Sequence, residues 1–384
     1  MLLGTYYDAL TLHRNNKKVY ARFNIPHAVV STCRINGGLR DDITTLLNHQ
    51  SCEPCNHTLA RAASVVREPE AYLERICREE DLDHTTCASL GTAANMNYTA
   101  VESLEFKELT VVAVATGGVE ANAGRAGDPA HYHETDGTFI HESHPDKKPT
   151  PGTINIMVFI NRTLNRGALV RAIITATEAK SAALQELSVN SRYSPELATG
   201  TGTDQMGIAC QQGDEIPLTS SGKHTKLGEL IGKTVKKAVK RTLKLQNELT
   251  PQGQRSIKIH IERLGTDKTK MLEGISKFLD EKTATLLKNN FDSVNRDPLA
   301  VAAAAALMHL RDKWAWGILP KGCMKEIWSS QGAQLAAAVS GNIHQIPDYY
   351  QRLSQTLITV DDIHLLQLLY QAMAMGFKEK WKNN

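Results

Sequence analysis

The sequence predicts an α/β fold, with a mixed sheet-and-helix core followed by a mostly α-helical C-terminal extension. Three observations carry this expectation. Short valine- and isoleucine-rich runs bounded by Pro or Gly read as buried strands. Two long amphipathic segments that follow them read as helices. Beyond the break NELTPQGQR, around residue 251, the long segments are strand-poor and have helical spacing. Alternation of this kind marks an α/β core, although strand order and direction are not readable from it. At 384 residues the chain has room for two or three domains. The expected division is an α/β domain over residues 1–248 and a helical extension over 249–384.

Taken in order, NIPHAVVSTCR (24–34) reads as a strand. RINGGLRDDITTLLNHQ follows as a Gly-Gly turn and a helical run ending at Asn48, His49 and Gln50. LTVVAVA (109–115) and TINIMVFI (153–160) are further buried strands, and the polar stretch from Asp128 to Pro151, with four histidines, reads as a loop long enough to be functional. Residues 166–187 place Leu169, Ile173, Ala176, Lys180, Ala183 and Leu187 at helical spacing. MGIAC (206–210) returns to strand character. Residues 228–245 form a second amphipathic helix whose lysine-rich face lacks interleaved aromatics, so it reads as a solvated face and not a nucleic-acid surface. In the extension, WAWGILPKGCMKEIW (314–328) holds three of the four tryptophans. Helix packing is its plain reading, and a lid or dimer surface is the sharper one.

Composition narrows the function. A net charge of +3 sets up no field that demands nucleic acid or an anionic membrane. The first residues hold no apolar signal core, and LAVAAAAALMHL is too short to span a bilayer. Seven scattered cysteines fit a reducing cytosol, so a cytoplasmic protein is expected. GGVEANAGRAG lacks dinucleotide spacing, and in SSGKHTKLG His224 stands where a phosphate loop needs Ser or Thr. Histidines 131, 133, 141 and 144, with Glu134 and Glu142, form a cluster that matches no standard zinc motif. His131 and His133 are its candidate ligands, and a solvated loop is the preferred reading. SCEPC (51–55) pairs two cysteines with no second pair, which argues against structural zinc.

The run TGTGTD (199–204) supplies more than a turn requires: unhindered amides, three hydroxyls and a carboxylate within six residues. Gly-Gly turns, amide side chains and hydroxyls recur at INGG, GTAANMN, TGG, TGTGTD and SGKHTK. Polar strand ends converging on one face are what a large ligand pocket looks like from sequence. The candidate binding residues are Asn36, Gly37, Gly38, Asn48, Thr92, Asn95, Gly117, Gly118, Asn122, Gly200, Gly202 and Lys223. A buried, hydrogen-bonded structural role is the plain reading of His49.

The ordered series INGGL…LNHQ, GTAANM, ATGGVEANAGRAGD, GTINIMVFI…GALVRAIITATEAKSAALQEL, ATGTGTD and GKHTKLGELIG closely resembles the adenosylcobinamide amidohydrolase family of cobamide salvage, from about residue 20 to about residue 247. The resemblance implies hydrolysis of the amide joining the aminopropanol arm to the corrin ring, giving adenosylcobyric acid. It implies a corrinoid substrate, with no nucleic-acid or membrane partner and no firm cofactor requirement. A divalent metal and a homo-oligomer stay open. Amide cleavage needs a nucleophile, a proton donor for the amine and donors for the oxyanion. Thr201 and Thr203 offer hydroxyls, Asp204 or Glu178 a base, His224 or His49 an acid or base, and the Gly200 and Gly202 amides an oxyanion hole. Attack by an activated or metal-bound water is equally open. The competing readings are a corrinoid-binding protein without turnover and a zinc-dependent hydrolase of another substrate.

Overall fold

The computed structural model describes residues 1–51, 67–130, 132–141 and 152–381. The chain forms two compact units, one of Met1–Tyr193 with Leu197–Thr250 and one of Ser194–Glu196 with Pro251–Asn384.

The strands of the first unit are β1 (Leu2–Tyr6), β2 (Leu10–Asn15), β3 (Lys18–Phe23), β4 (His27–Ser31), β5 (Gly38–Arg40), β6 (Thr45–Gln50), β7 (Cys87–Thr92) and β8 (Ala100–Phe106). They continue as β9 (Leu109–Gly118), β10 (Ala123–Gly124), β11 (Tyr132–Thr135), β12 (Thr138–His141), β13 (Thr153–Ile160), β14 (Gly200–Thr201) and β15 (Gln205–Gln211). The helices are α1 (Pro69–Arg78), α2 (Arg166–Glu186) and α3 (Lys226–Asn247). A five-stranded sheet has the order β1-β2-β3-β6-β7, and a six-stranded sheet the order β5-β4-β15-β13-β9-β8. Each is antiparallel except for one parallel pair, β6 with β7 and β13 with β15.

Side-chain alternation along the strands builds the layers. Leu12, Leu46 and Leu90 of the first sheet share a core with Val112, Val114 and Phe159 of the second. The opposite face of the six-stranded sheet packs Ile154, Ile156 and Val158 against Leu169 and Ala176 of α2 and Val235 of α3. The outer face of the five-stranded sheet packs Tyr20 and Leu47 under Leu73 and Ile76 of α1.

Two sequence expectations need correction. TLLNHQ is β6, not the end of a helix, because it pairs with β3 on one side and β7 on the other; ladder bonds and two-sided burial override leucine's helical preference. The polar stretch after Asp128 includes the β11–β12 hairpin, closed by Asp136 and Gly137 at positive φ (51° and 71°). That geometry is why Asp-Gly signals a hairpin.

The second unit comprises α4 (Pro251–Gln254), α5 (Ile257–Ile261), α6 (Lys268–Ser276), α7 (Glu281–Asn295), α8 (Pro298–Ala315), α9 (Met324–Ser340), α10 (Ile346–Thr356) and α11 (Asp362–Lys380), with no strand among its described residues. Asp267, Asp280, Asp297 and Asp361 each accept a backbone N–H at a helix start. Gly376 permits the closest approach: a Cβ there would lie 2.3 Å from the Ala336 carbonyl oxygen. Trp328 is fully buried with Trp314 edge-on at 5.5 Å, whereas Trp316 is half exposed under Lys313. Two buried arginines sit in this core. Arg263 forks onto Asp312 at 2.8 and 2.9 Å, Arg311 binds Asp362 at 2.7 and 2.5 Å, and both donate to the Pro195 carbonyl. No helix among the described residues is long and apolar enough to cross a membrane.

Candidate active site

The threonine-glycine run closes on itself through Asp204. Gly200 and Thr201 pair with β10, which anchors the run's first half. Asp204 then reaches back: Oδ1 accepts the Thr201 hydroxyl at 2.6 Å and the Ile154 N–H at 2.8 Å, and Oδ2 accepts the Thr201 N–H at 3.0 Å. Oδ2 is also ion-paired with Lys180 Nζ, with side chains only 13% and 10% exposed. A charge this sequestered persists only when paired and hydrogen-bonded, and four donors meet that requirement. The two glycines differ. A Cβ at Gly200 would sit 2.5 Å from Asp204 Oδ2 and 2.7 Å from Lys180 Nζ, so glycine admits the pair; a Cβ at Gly202 would meet open space.

Thr203 faces a second group. Its hydroxyl lies 2.6 Å from the Thr153 hydroxyl and 2.9 Å from the Gly152 carbonyl. Asn122 Nδ2 donates to that same carbonyl at 2.5 Å, and its buried Oδ1 has no partner among the described residues. The Gly202 N–H likewise meets no acceptor among them. The turn therefore presents an unfilled donor beside a hydroxyl that is hydrogen-bonded to a carboxylate.

One residue further along β13 and β15 lies a ladder of amides joining the sheets. Asn48 Nδ2 donates to the Thr116 hydroxyl at 2.8 Å, and Asn48 Oδ1 accepts from Asn155 at 2.9 Å. Asn155 also donates to the Gly91 carbonyl at 3.0 Å and accepts the Gln205 N–H at 3.2 Å, while Gln205 Oε1 accepts the Gly91 N–H at 2.7 Å. The end of α3 closes the neighbouring strand ends. Gly117 N–H donates to Thr242, Asn95 N–H to Gln246, and Val119 N–H to Asn247. Thr92 accepts the Ala94 N–H, and a Cβ at Gly118 would lie 3.8 Å from the Gln246 side chain.

The other expected site residues lie apart from this turn. His49 follows Asn48 on a strand, so it faces the opposite side of the sheet, where Nδ1 and the Tyr72 hydroxyl are 2.5 Å apart. Burial, and then the Lys18 charge, lower its pKa to about 4. Glu178 and Lys223 pair with each other at 2.9 Å on the exposed surface, and His224 is exposed. Asn36 is occupied by the His84 and Cys87 carbonyls and by Arg40. Gly37 is needed for packing, since a Cβ would fall 1.9 Å from the Cys33 carbonyl, whereas Gly38 serves a positive φ of 80°. His133 is on β11. His131, Glu142, His144, Cys52 and Cys55 lie outside the described residues. Among those described, no three His, Cys, Asp or Glu gather as a metal site.

A profile of the adenosylcobinamide amidohydrolase (CbiZ) family matches residues 3–251. The chain belongs to this family. An uncharacterized protein of Methanocaldococcus jannaschii is 42% identical over 184 residues, 46% of this chain and 71% of its own. The adenosylcobinamide amidohydrolase of Methanosarcina mazei is 28% identical over 190 residues, 47% of this chain and 77% of its own. That of Halobacterium salinarum is 30% identical over 142 residues, 36% of this chain and 54% of its own. A solved structure from Pyrococcus horikoshii OT3 gives a TM-score of 0.30 at 12% identity over 61% of this chain and 83% of its own, a likeness too weak to bear on the fold.

The match to the adenosylcobinamide amidohydrolases ends where the helical unit begins, so the Asp204 turn and the amide ladder both belong to the family region. Sequence reasoning placed Lys180 only on the apolar stripe of a helix. Its signal was there to read: one charge among Leu169, Ala176, Ala183 and Leu187 must find a buried partner. Asn155 and Thr116 gave a fainter signal, as polar residues within otherwise apolar strands.

Proposed function

We propose that this protein hydrolyses the amide joining the aminopropanol arm to the corrin ring of adenosylcobinamide. The products are aminopropanol and adenosylcobyric acid, and the reaction serves corrinoid salvage in the cytoplasm. Family membership over residues 3–251 supports the substrate. The observation that carries the chemistry is the Thr201 hydroxyl, which donates at 2.6 Å to a carboxylate fixed by buried Lys180.

In this reading Thr201 Oγ1 attacks the amide carbonyl and Asp204 takes its proton. The Gly202 N–H, unfilled among the described residues, receives the tetrahedral oxyanion. Collapse breaks the C–N bond, and the departing amine takes the proton from Asp204. Water then cleaves the ester on Thr201, returning a proton to the threonine oxygen and leaving the corrinoid carboxylate. Lys180 holds the Asp204 carboxylate in place between steps. The reaction needs no redox partner and no cofactor, so turnover persists after chelation.

Purified protein incubated with adenosylcobinamide is expected to release aminopropanol and a corrinoid bearing one new carboxylate. An unchanged chromatogram beside an active family member, or tight binding without turnover, overturns the proposal.

A further inference from the structure

Thr203 carries a hydroxyl that the chemistry proposed above leaves unused. The Gly152 carbonyl oxygen has two lone pairs, yet three donors converge on it: Asn122 Nδ2 at 2.5 Å, the Thr153 hydroxyl at 2.7 Å and the Thr203 hydroxyl at 2.9 Å. The two hydroxyls are themselves 2.6 Å apart, with Thr153 buried and Thr203 exposed. The crowding resolves when the Asn122 amide and one hydroxyl take the carbonyl and the other hydroxyl donates to its neighbour. Either way the buried Thr153 proton stays paired inside the protein, where an unpaired donor is costly. The Thr203 oxygen accepts from Thr153 at most, so at least one of its two lone pairs meets no donor among the described residues.

That lone pair lies close to the proposed nucleophile. The Thr203 N–H reaches Thr201 Oγ1 at 3.4 Å. Consecutive residues of β13 fix the turn's last two side chains, the Thr153 hydroxyl meeting Thr203 and the Ile154 N–H meeting Asp204. From Thr201 to Thr203 the chain spans at most about 7 Å. An amide bond, two carbon atoms and one hydrogen bond cover a similar distance, and these separate a scissile carbonyl from the acceptor of a hydroxyl on its leaving amine.

We propose that the Thr203 hydroxyl is the acceptor that reads the hydroxyl group of the departing aminopropanol arm. This rests on the function proposed above and names the part of that site that selects its bond. The other side-chain amides around the same macrocycle are unsubstituted and have no hydroxyl to offer. Specificity is a difference between competing amides, and one acceptor placed beyond the nucleophile creates it.

Steady-state turnover by the full chain tests the assignment with two substrates: adenosylcobinamide, and the same corrinoid with an n-propylamide in place of the 2-hydroxypropylamide arm. Wild-type protein is expected to favour adenosylcobinamide about 10-fold in kcat/KM. Thr203→Val is expected to reduce that preference to about one, and Thr203→Ser, which keeps the hydroxyl, to retain it. Thr203→Ala removes the hydroxyl without adding a methyl branch and is expected to match Thr203→Val, which guards against a disturbed turn. Equal wild-type kcat/KM for the two arms overturns the assignment. A preference that survives Thr203→Val and Thr203→Ala, even with both rates lowered, places Thr203 in the shape of the turn alone and also overturns it. A wild type that leaves adenosylcobinamide uncut instead brings down the proposed function on which the assignment rests.

Discussion

Replacing Asp204 by Asn tests the candidate centre most directly, because shape is kept while one charge is removed. Asp204 receives four donors, two on each oxygen, and one of them is the Lys180 ammonium. An Asn side chain retains one oxygen. If that oxygen keeps Lys180 and the Thr201 N–H, the new NH2 group faces the Ile154 N–H, and the Thr201 hydroxyl must turn to accept. Either orientation leaves a mostly buried ammonium without its counter-charge. Breaking such a pair costs about 3–5 kcal/mol, and the slight exposure of both side chains favours the low end, about 3 kcal/mol. A carboxylate that only capped a turn costs about 1 kcal/mol. Urea unfolding followed by tryptophan fluorescence separates the two values. Turnover per folded molecule is a second axis. Loss of a general base lowers it by at least about 100-fold, while a purely structural clamp leaves it intact. Wild-type turnover in folded Asp204→Asn and in Thr201→Val removes both residues from the chemistry. Wild-type stability in addition refutes the reading of the ion pair.

Other perturbations give distinct outcomes. His49 has a folded pKa of about 4 against an ordinary value of about 6.5. Between these the unfolded chain binds a proton that the folded chain does not, so stability falls as pH drops from about 6.5 to about 4, by no more than roughly 3 kcal/mol. His49→Gln is expected to flatten that slope, and an unchanged pH profile of urea midpoints counts against the assignment. Gly37→Ala is expected to destabilise by about 3 kcal/mol through its clash with the Cys33 carbonyl, and Gly38→Ala by only about 1 kcal/mol through its positive φ. Equal thermal shifts contradict this ranking. Asp312→Ala strips buried Arg263 of its fork and is expected to cost about 3 kcal/mol or more; a native melting curve for the full chain refutes it.

The fold was most legible where apolar residues dominated a run. TINIMVFI declares a strand buried on both faces, and all eight positions are buried in β13. The two long helices of the α/β unit showed their apolar stripes in the same way. Legibility failed where pairing, not local preference, decides. TLLNHQ carries helix-compatible leucines, and only its neighbours β3 and β7 make it a strand. LTLHRN and KVYARF mix charges with apolar residues, and Lys18 of the second is buried because Glu79 and Glu80, sixty residues later, receive it at 2.5 and 3.1 Å. A window of sequence cannot display such a partner. Lys180 and Asp204 repeat the lesson within the candidate site: each residue is visible, but their contact exists only after α2 packs against β14 and β15.

Register also decides which polar strand ends can serve a substrate. Asn48 and His49 were adjacent candidates, but the two-residue period of a strand sends one inward and the other toward Tyr72. The inward set, Asn48, Thr116, Asn155 and Gln205, is tied together across the two sheets, with Asn48 and Asn155 bonded at both ends of their amides. Presenting those groups to a ligand would first break bonds within the protein, leaving buried polar atoms unpaired at about 1–3 kcal/mol each. The Asp204 turn carries no such obligation at its outer edge, where Gly202 and Thr203 are exposed and the Gly202 N–H has no acceptor among the described residues. The ladder is therefore better suited to hold the sheets in register, and the turn to meet a scissile amide.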